Sequence, residues 1–199
     1  AGGGTGTKTL GGAVTVANNF TIDTDVTIAM DTHDLTVTDD TDIDGTLTVA
    51  GNILTLDGES DIDGTITIST GTVDANDSFD ATNGTITFTD AGNLNLFSTV
   101  TDLGTLSTTK GTVTYDGVNQ TVFSDAYYNL TAGNSSGTKT LGGALTVANN
   151  LVINAGVTVD VSSSNDYSIS VGGALENNGT FSAQDGMVTF NGSDNQIFT

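Results

Sequence analysis

The residues best suited to chemistry are carboxylates at alternate positions, in Asp40-Thr-Asp42-Ile-Asp44-Gly45. Acids at the first, third and fifth positions and glycine at the sixth match the first half of a calcium-binding loop. The twelfth position is Gly51, where an EF-hand needs glutamate, so the loop is not an EF-hand. A second run, Glu59-Ser-Asp61-Ile-Asp63-Gly64, repeats the spacing. If the two runs stack in register, Asp40 lies over Glu59, Asp42 over Asp61 and Asp44 over Asp63. Like charges one strand spacing apart, about 4.8 Å, repel by about 1 kcal/mol even in water. A bound Ca²⁺ would relieve that repulsion. These six acids are therefore the candidate metal ligands, and Ca²⁺ is the candidate cofactor. The competing expectation is a solvated acidic face whose carboxylates splay apart.

The rest of the composition narrows the functions available. The chain has 199 residues, a formal net charge of −21, three lysines, no arginine, one histidine and no cysteine. Binding to phosphate-rich partners works through Lys and Arg, so no nucleic-acid partner is expected. No apolar run approaches the roughly 18 residues of a membrane-spanning helix, so no membrane insertion is expected. Without cysteine there is neither a disulfide nor a thiolate metal site. Catalysis is not expected. His33 sits among acids in Asp31-Thr-His33-Asp34 with no motif-bearing nucleophile, and Lys8 and Lys139 occupy equivalent repeat positions, as structural residues do.

These side chains have to be positioned by strands. Helical periodicity is absent, and short runs such as Val14-Thr-Val16, Val26-Thr-Ile28 and Leu35-Thr-Val37 alternate apolar with polar residues between Gly, Asn and Asp. GTLTV at Gly45, GTITI at Gly64, GTITF at Gly84 and GTLST at Gly104 recur at a nearly constant step. A hairpin sandwich has no reason to keep one motif at a fixed step, whereas a coil that adds one strand per turn to the same face does. The expectation is all-β: a single-chain parallel β-helix, or β-solenoid, of roughly 20 residues per rung and about ten rungs with uncapped ends. It is read as one domain, 1–199, with Asp/Thr-rich rungs over about 23–110 and GTKTLGGA-type repeats over 1–22 and 111–199. Leu47, Val49, Ile66, Ile68, Ile86 and Phe88 should point inward, Thr46, Thr65 and Thr85 outward, and Gly64 should mark a corner.

The repeats also suggest what the chain does. GTKTLGGAVTVANN at Gly6–Asn19 recurs as GTKTLGGALTVANN at Gly137–Asn150, and GTVTYDG at Gly111–Gly117 recurs as GMVTFNG at Gly186–Gly192. These words, with NQTVF, YYNLT and NNGTF, resemble the repeat units of bacterial secreted and cell-surface proteins with parallel β-helix folds. The resemblance covers Gly111–Thr199 and continues in Ala1–Ile22; the Asp-rich middle departs from it. It implies a stalk-, adhesin- or biofilm-like structural role, outside the cell or on its surface. The start at Ala1, without Met, fits a leader already removed.

The chain stops inside one repeat and starts a little further along in the same repeat, with only a piece like Asp125–Thr131 missing between. Head-to-tail self-association is the expectation, through Gln196, Ile197 and Phe198 at one end and Ala1, Thr5 and Leu10 at the other. The expected role is the structural subunit of an extracellular filament whose partner is itself. The alternatives are a fragment of a long surface adhesin or stalk and, through the columns Thr46/Thr65/Thr85/Thr105 and Thr48/Thr67/Thr87/Ser107, an ice-binding solenoid.

Overall fold

The computed structural model describes residues 4–133, 136–162 and 164–193. Among them there is no helix, and every paired strand is parallel to its neighbour, so the fold is a β-solenoid. The chain divides into two compact units, Ala1–Gly111 and Thr112–Thr199. The division falls where GTLST-type rungs give way to GTVTYDG. Together the units hold about nine turns of roughly 20 residues, against the ten expected. The later turns are longer: Leu130 pairs with Leu151, but Leu151 pairs with Leu175 and Leu145 with Ile169.

The first unit winds three sheets. One stacks Gly6–Thr9, Val26–Ala29, Thr46–Val49, Thr65–Ile68, Thr85–Phe88 and Thr105–Leu106. The second stacks Val14–Val16, Leu35–Val37, Ile53–Leu56, Thr72–Ala75 and Asn93–Leu96. The third stacks Phe20–Ile22, Thr41–Ile43, Ser60–Ile62, Phe79–Asp80 and Val100–Asp102.

Because side chains alternate along a strand, identical rung words put identical residues in one column. Leu47, Ile66 and Ile86 stack on the inside, as do Val49, Ile68 and Phe88, and all six are buried. Each such side chain contributes about 1.5–3 kcal/mol on leaving water, and the columns make that core continuous. Thr46, Thr65 and Thr85 alternate outward and stay half-exposed.

Gly64 does mark a corner, and the reason is space. A Cβ there would lie 2.0 Å from the Gly45 carbonyl oxygen of the preceding rung. Gly111 is required twice over: its φ is +81°, and the Phe88 ring fills the place of a Cβ.

Within the second unit the strands again fall into three stacks. These are Thr112–Tyr115, Asn129–Ala132, Leu151–Ile153 and Leu175–Asn177; then Gln120–Val122, Gly137–Leu141, Val157–Asp160 and Thr180–Ser182; then Ala126–Tyr127, Leu145–Val147, Ile169–Val171 and Val188–Phe190. Its core contains a polar chain. The Phe123 N–H donates to the Tyr115 hydroxyl (3.1 Å), the Tyr115 and Tyr127 hydroxyls are 3.0 Å apart, and Tyr127 donates to the Phe123 carbonyl (2.6 Å). Burial pushes both phenols above the ordinary tyrosine range, which keeps them protonated donors.

Candidate functional site

Two features were singled out by sequence, and the fold positions them differently. The acidic runs share one face of the first unit. Thr21, Asp42, Asp61 and Asp80 are successive Cα partners, with Asp42 and Asp61 exposed on the outside of their strands. Partial burial first, then repulsion from neighbouring acids, raises both carboxyls above the ordinary aspartate range. The neighbours are Asp44, Asp63 and Asp23 around Asp42, and Asp63, Asp80, Asp42 and Asp44 around Asp61.

The other members are partly occupied. Asp40 accepts the Glu59 N–H (3.2 Å), and Asp63 accepts the Asn83 side-chain amide (3.1 Å). Among the described residues no group of three or more His, Cys, Asp or Glu side chains is arranged to hold a metal ion. Behind the acids, Thr41 and Ser60 are register partners pointing inward, and their buried hydroxyls have no hydrogen-bond partner.

The structure also shows how so acidic a chain stacks, which the sequence reading missed. Acids often sit under an amide one rung on. Asn52 donates to Asp34 (3.4 Å), Asn76 to Asp57 (2.8 Å) and Asn95 to Asp74 (2.6 Å). An amide donor satisfies a carboxylate oxygen without adding a second charge, so these rungs avoid the like-charge term. The signal was there in the recurrence of Asn one rung after Asp.

The second feature is the duplicated GTKTLGGA word. In its second copy the lysine is inside. Gly137–Leu141 runs along Gln120–Val122, with Lys139 opposite Gln120, and Lys139 is 0% exposed. Its ammonium donates to the carbonyl oxygen of Gly117 and to that of Val118 (3.4 Å), both in the turn of the preceding rung. Burial pulls this amine below the ordinary lysine range, and the nearby Asp116 carboxylate offsets part of that. The preceding rung presses on the glycines as well. A Cβ at Gly137 would lie 2.1 Å from the Val118 carbonyl oxygen, one at Gly142 3.0 Å from the Thr121 methyl, and one at Gly143 2.5 Å from the Ser124 hydroxyl. Asn119 Oδ1 accepts the Thr138 N–H (3.0 Å), and Ser124 Oγ donates to the Ala144 carbonyl (2.8 Å). The word is thus a seat on which the preceding rung rests.

In the first copy no rung rests on the seat among the described residues, so there it is open. Gly6–Thr9 pairs with Val26–Ala29 on one side and with no strand on the other among the described residues. Lys8 is opposite Ile28, a buried inward position, yet Lys8 is exposed and, among the described residues, donates to the Thr5 carbonyl (3.3 Å). Gly6 keeps the left-handed backbone of Gly137, φ +98° against +111°, but a Cβ at Gly6, Gly11 or Gly12 would meet nothing within 4 Å. Leu10 is half-buried, its N–H donating to the Ala29 carbonyl (3.0 Å), and Thr5 is exposed. Ala1, Gln196, Ile197 and Phe198 lie outside the described residues. Comparison with family models, with curated proteins and with solved structures gives no match to this chain.

Proposed function

We propose that the chain is the structural subunit of an extracellular filament that grows by stacking the rungs of one copy on those of the next. The observation that carries this is the open seat. Val14 lies on the core side of its strand, opposite the buried Leu35, and is 37% exposed. Toward the other end, Val188–Phe190 is the last strand of its sheet among the described residues and lies beside Ile169–Val171. There Phe190, opposite the buried Val171, is 38% exposed and Met187 66% exposed. The Gly6–Thr9 edge offers a row of backbone N–H and C=O groups beside an apolar cross-section, a template for further pairing. The two edges differ, and a contact between unlike surfaces propagates unless it closes into a ring. The resemblance to surface β-helix repeats supports the extracellular setting.

Electron microscopy of the purified chain should show fibres. Ile197→Asp with Phe198→Asp should leave monomers, because it puts charge into the buried junction. A wild type that stays monomeric at high concentration overturns the reading. In a longer surface adhesin, the seat at Gly6–Val14 would be filled by the same polypeptide, as the seat at Gly137–Val147 is. A second reading is favoured by the column Thr7, Thr27, Thr46, Thr65, Thr85, Thr105, in unbroken register beside Thr48, Thr67 and Thr87. A flat threonine array of this kind suits ice, and thermal hysteresis in a freezing assay tests it.

A further inference from the structure

We infer that Lys8 is the register lock of this assembly: its ammonium closes over the carbonyl oxygens of Gly192 and Ser193 of a second copy. The inference rests on the head-to-tail reading above. The chain contains its own precedent for the contact. Where the GTKTLGGA seat is filled, its lysine turns inward and bonds the carbonyls of Gly117 and Val118. These two residues close the word GTVTYDGV, and the only other copy of that word, GMVTFNGS, ends in Gly192 and Ser193. Where the seat is open, the lysine has the same inward register position and, among the described residues, bonds the Thr5 carbonyl of its own rung.

The glycines point the same way. Gly6, Gly11 and Gly12 are kept at positions where nothing crowds them, although Gly137, Gly142 and Gly143 are each crowded by the rung beneath. Gly6 even holds a left-handed φ of +98°, so the open strand already has the shape of the filled one. On the other side, Ser193 is exposed and Gly192 half-buried. One difference sets the strength of the contact. Asn191 stands where Asp116 stands, so the junction offers Lys8 carbonyl dipoles without that carboxylate. A second copy fits as the occupant because it presents the GMVTFNGS turn at one end and, at the other, another seat of the same kind to continue the series.

The three lysines make the test direct. Amine acylation followed by peptide mass spectrometry should modify Lys8 and Lys110 in the monomeric Ile197→Asp/Phe198→Asp variant, and spare Lys139. In wild-type fibres Lys8 should become protected while Lys110 keeps its rate. Lys8→Met should raise the concentration needed for assembly by about tenfold or more, since it strands two carbonyls in the junction, and Lys110→Met should not. Fibres in which Lys8 reacts as fast as in the monomer, or Lys8→Met chains that assemble at the wild-type concentration, overturn the lock and leave head-to-tail growth standing. A wild-type chain that never assembles overturns both. Protection of Lys8 in the monomer also overturns the lock, because the seat would then be filled within one chain.

Discussion

Substituting Gly64 by alanine tests the rung stacking where it is tightest. The new Cβ would lie 2.0 Å from the Gly45 carbonyl oxygen, 2.6 Å from the Asp44 carbonyl carbon and 2.7 Å from the Asp44 carbonyl oxygen. All three are backbone atoms, so no side chain can turn aside. Real Cβ atoms essentially never come within 3.0 Å of such neighbours, so the rungs must part by about 1 Å at this corner. The corner also carries two backbone hydrogen bonds, Gly64 N–H to the Ile43 carbonyl (2.6 Å) and Thr65 N–H to the Gly45 carbonyl (2.8 Å). Losing both costs about 2 kcal/mol, and the overpacking adds about 1–3 kcal/mol, for a total of about 3–5 kcal/mol.

Gly51→Ala is the control. Its nearest neighbour would be the Thr70 side-chain oxygen at 3.3 Å, which can rotate, so the change stays within about 0.5 kcal/mol. For a chain of this size each kcal/mol moves the melting temperature by about 2–4 °C, so far-UV circular dichroism should show Gly64→Ala melting roughly 6–20 °C lower. The four tyrosines, Tyr115, Tyr127, Tyr128 and Tyr167, all belong to the second unit, so their near-UV signal reads that unit separately. If the far-UV melts of Gly64→Ala and Gly51→Ala coincide, the corner is not packed as described.

Thr41→Val replaces a buried, unpartnered hydroxyl with a methyl of nearly the same size, beside the equally unpartnered Ser60. It should stabilise by about 1 kcal/mol in urea titration, and a loss of stability would mean the hydroxyl is bonded. Asp42 and Asp61 have folded-state pKa values raised above the ordinary 3.8. The folded state therefore takes up protons first, and these groups make stability rise as pH falls from neutral through the raised values toward about 3.8. Asp61→Asn should reduce that rise, and a pH-independent melt over this window refutes the coupling. If Ca²⁺ bridges the same carboxylates, added calcium raises the melting temperature at neutral pH, chelation lowers it and Asp61→Asn abolishes both effects. A melt indifferent to calcium leaves a solvated acidic face.

Strand parity was legible because it is local. Alternation in GTLTV and GTITI decides which of Leu47, Thr48, Ile66 and Thr67 faces the core, and the constant step of the glycines decides which residues share a column. The register of Asp42 with Asp61 followed from the same step. The placement of Lys139 was not legible in its chemistry. Parity puts it with Leu141 on the inner side, but a lysine is buried only if partners meet its ammonium, and those are carbonyls of a turn in another rung. The Asp–Asn bonds between rungs likewise depend on the length of each intervening turn, which varies along the chain. The sequence alone therefore determined that the chain coils, which residues line its core and where its words repeat. Only the tertiary structure decided that the seat at Gly137–Leu141 closes its lysine on carbonyls of the preceding rung, because that depends on backbone groups brought together from different turns.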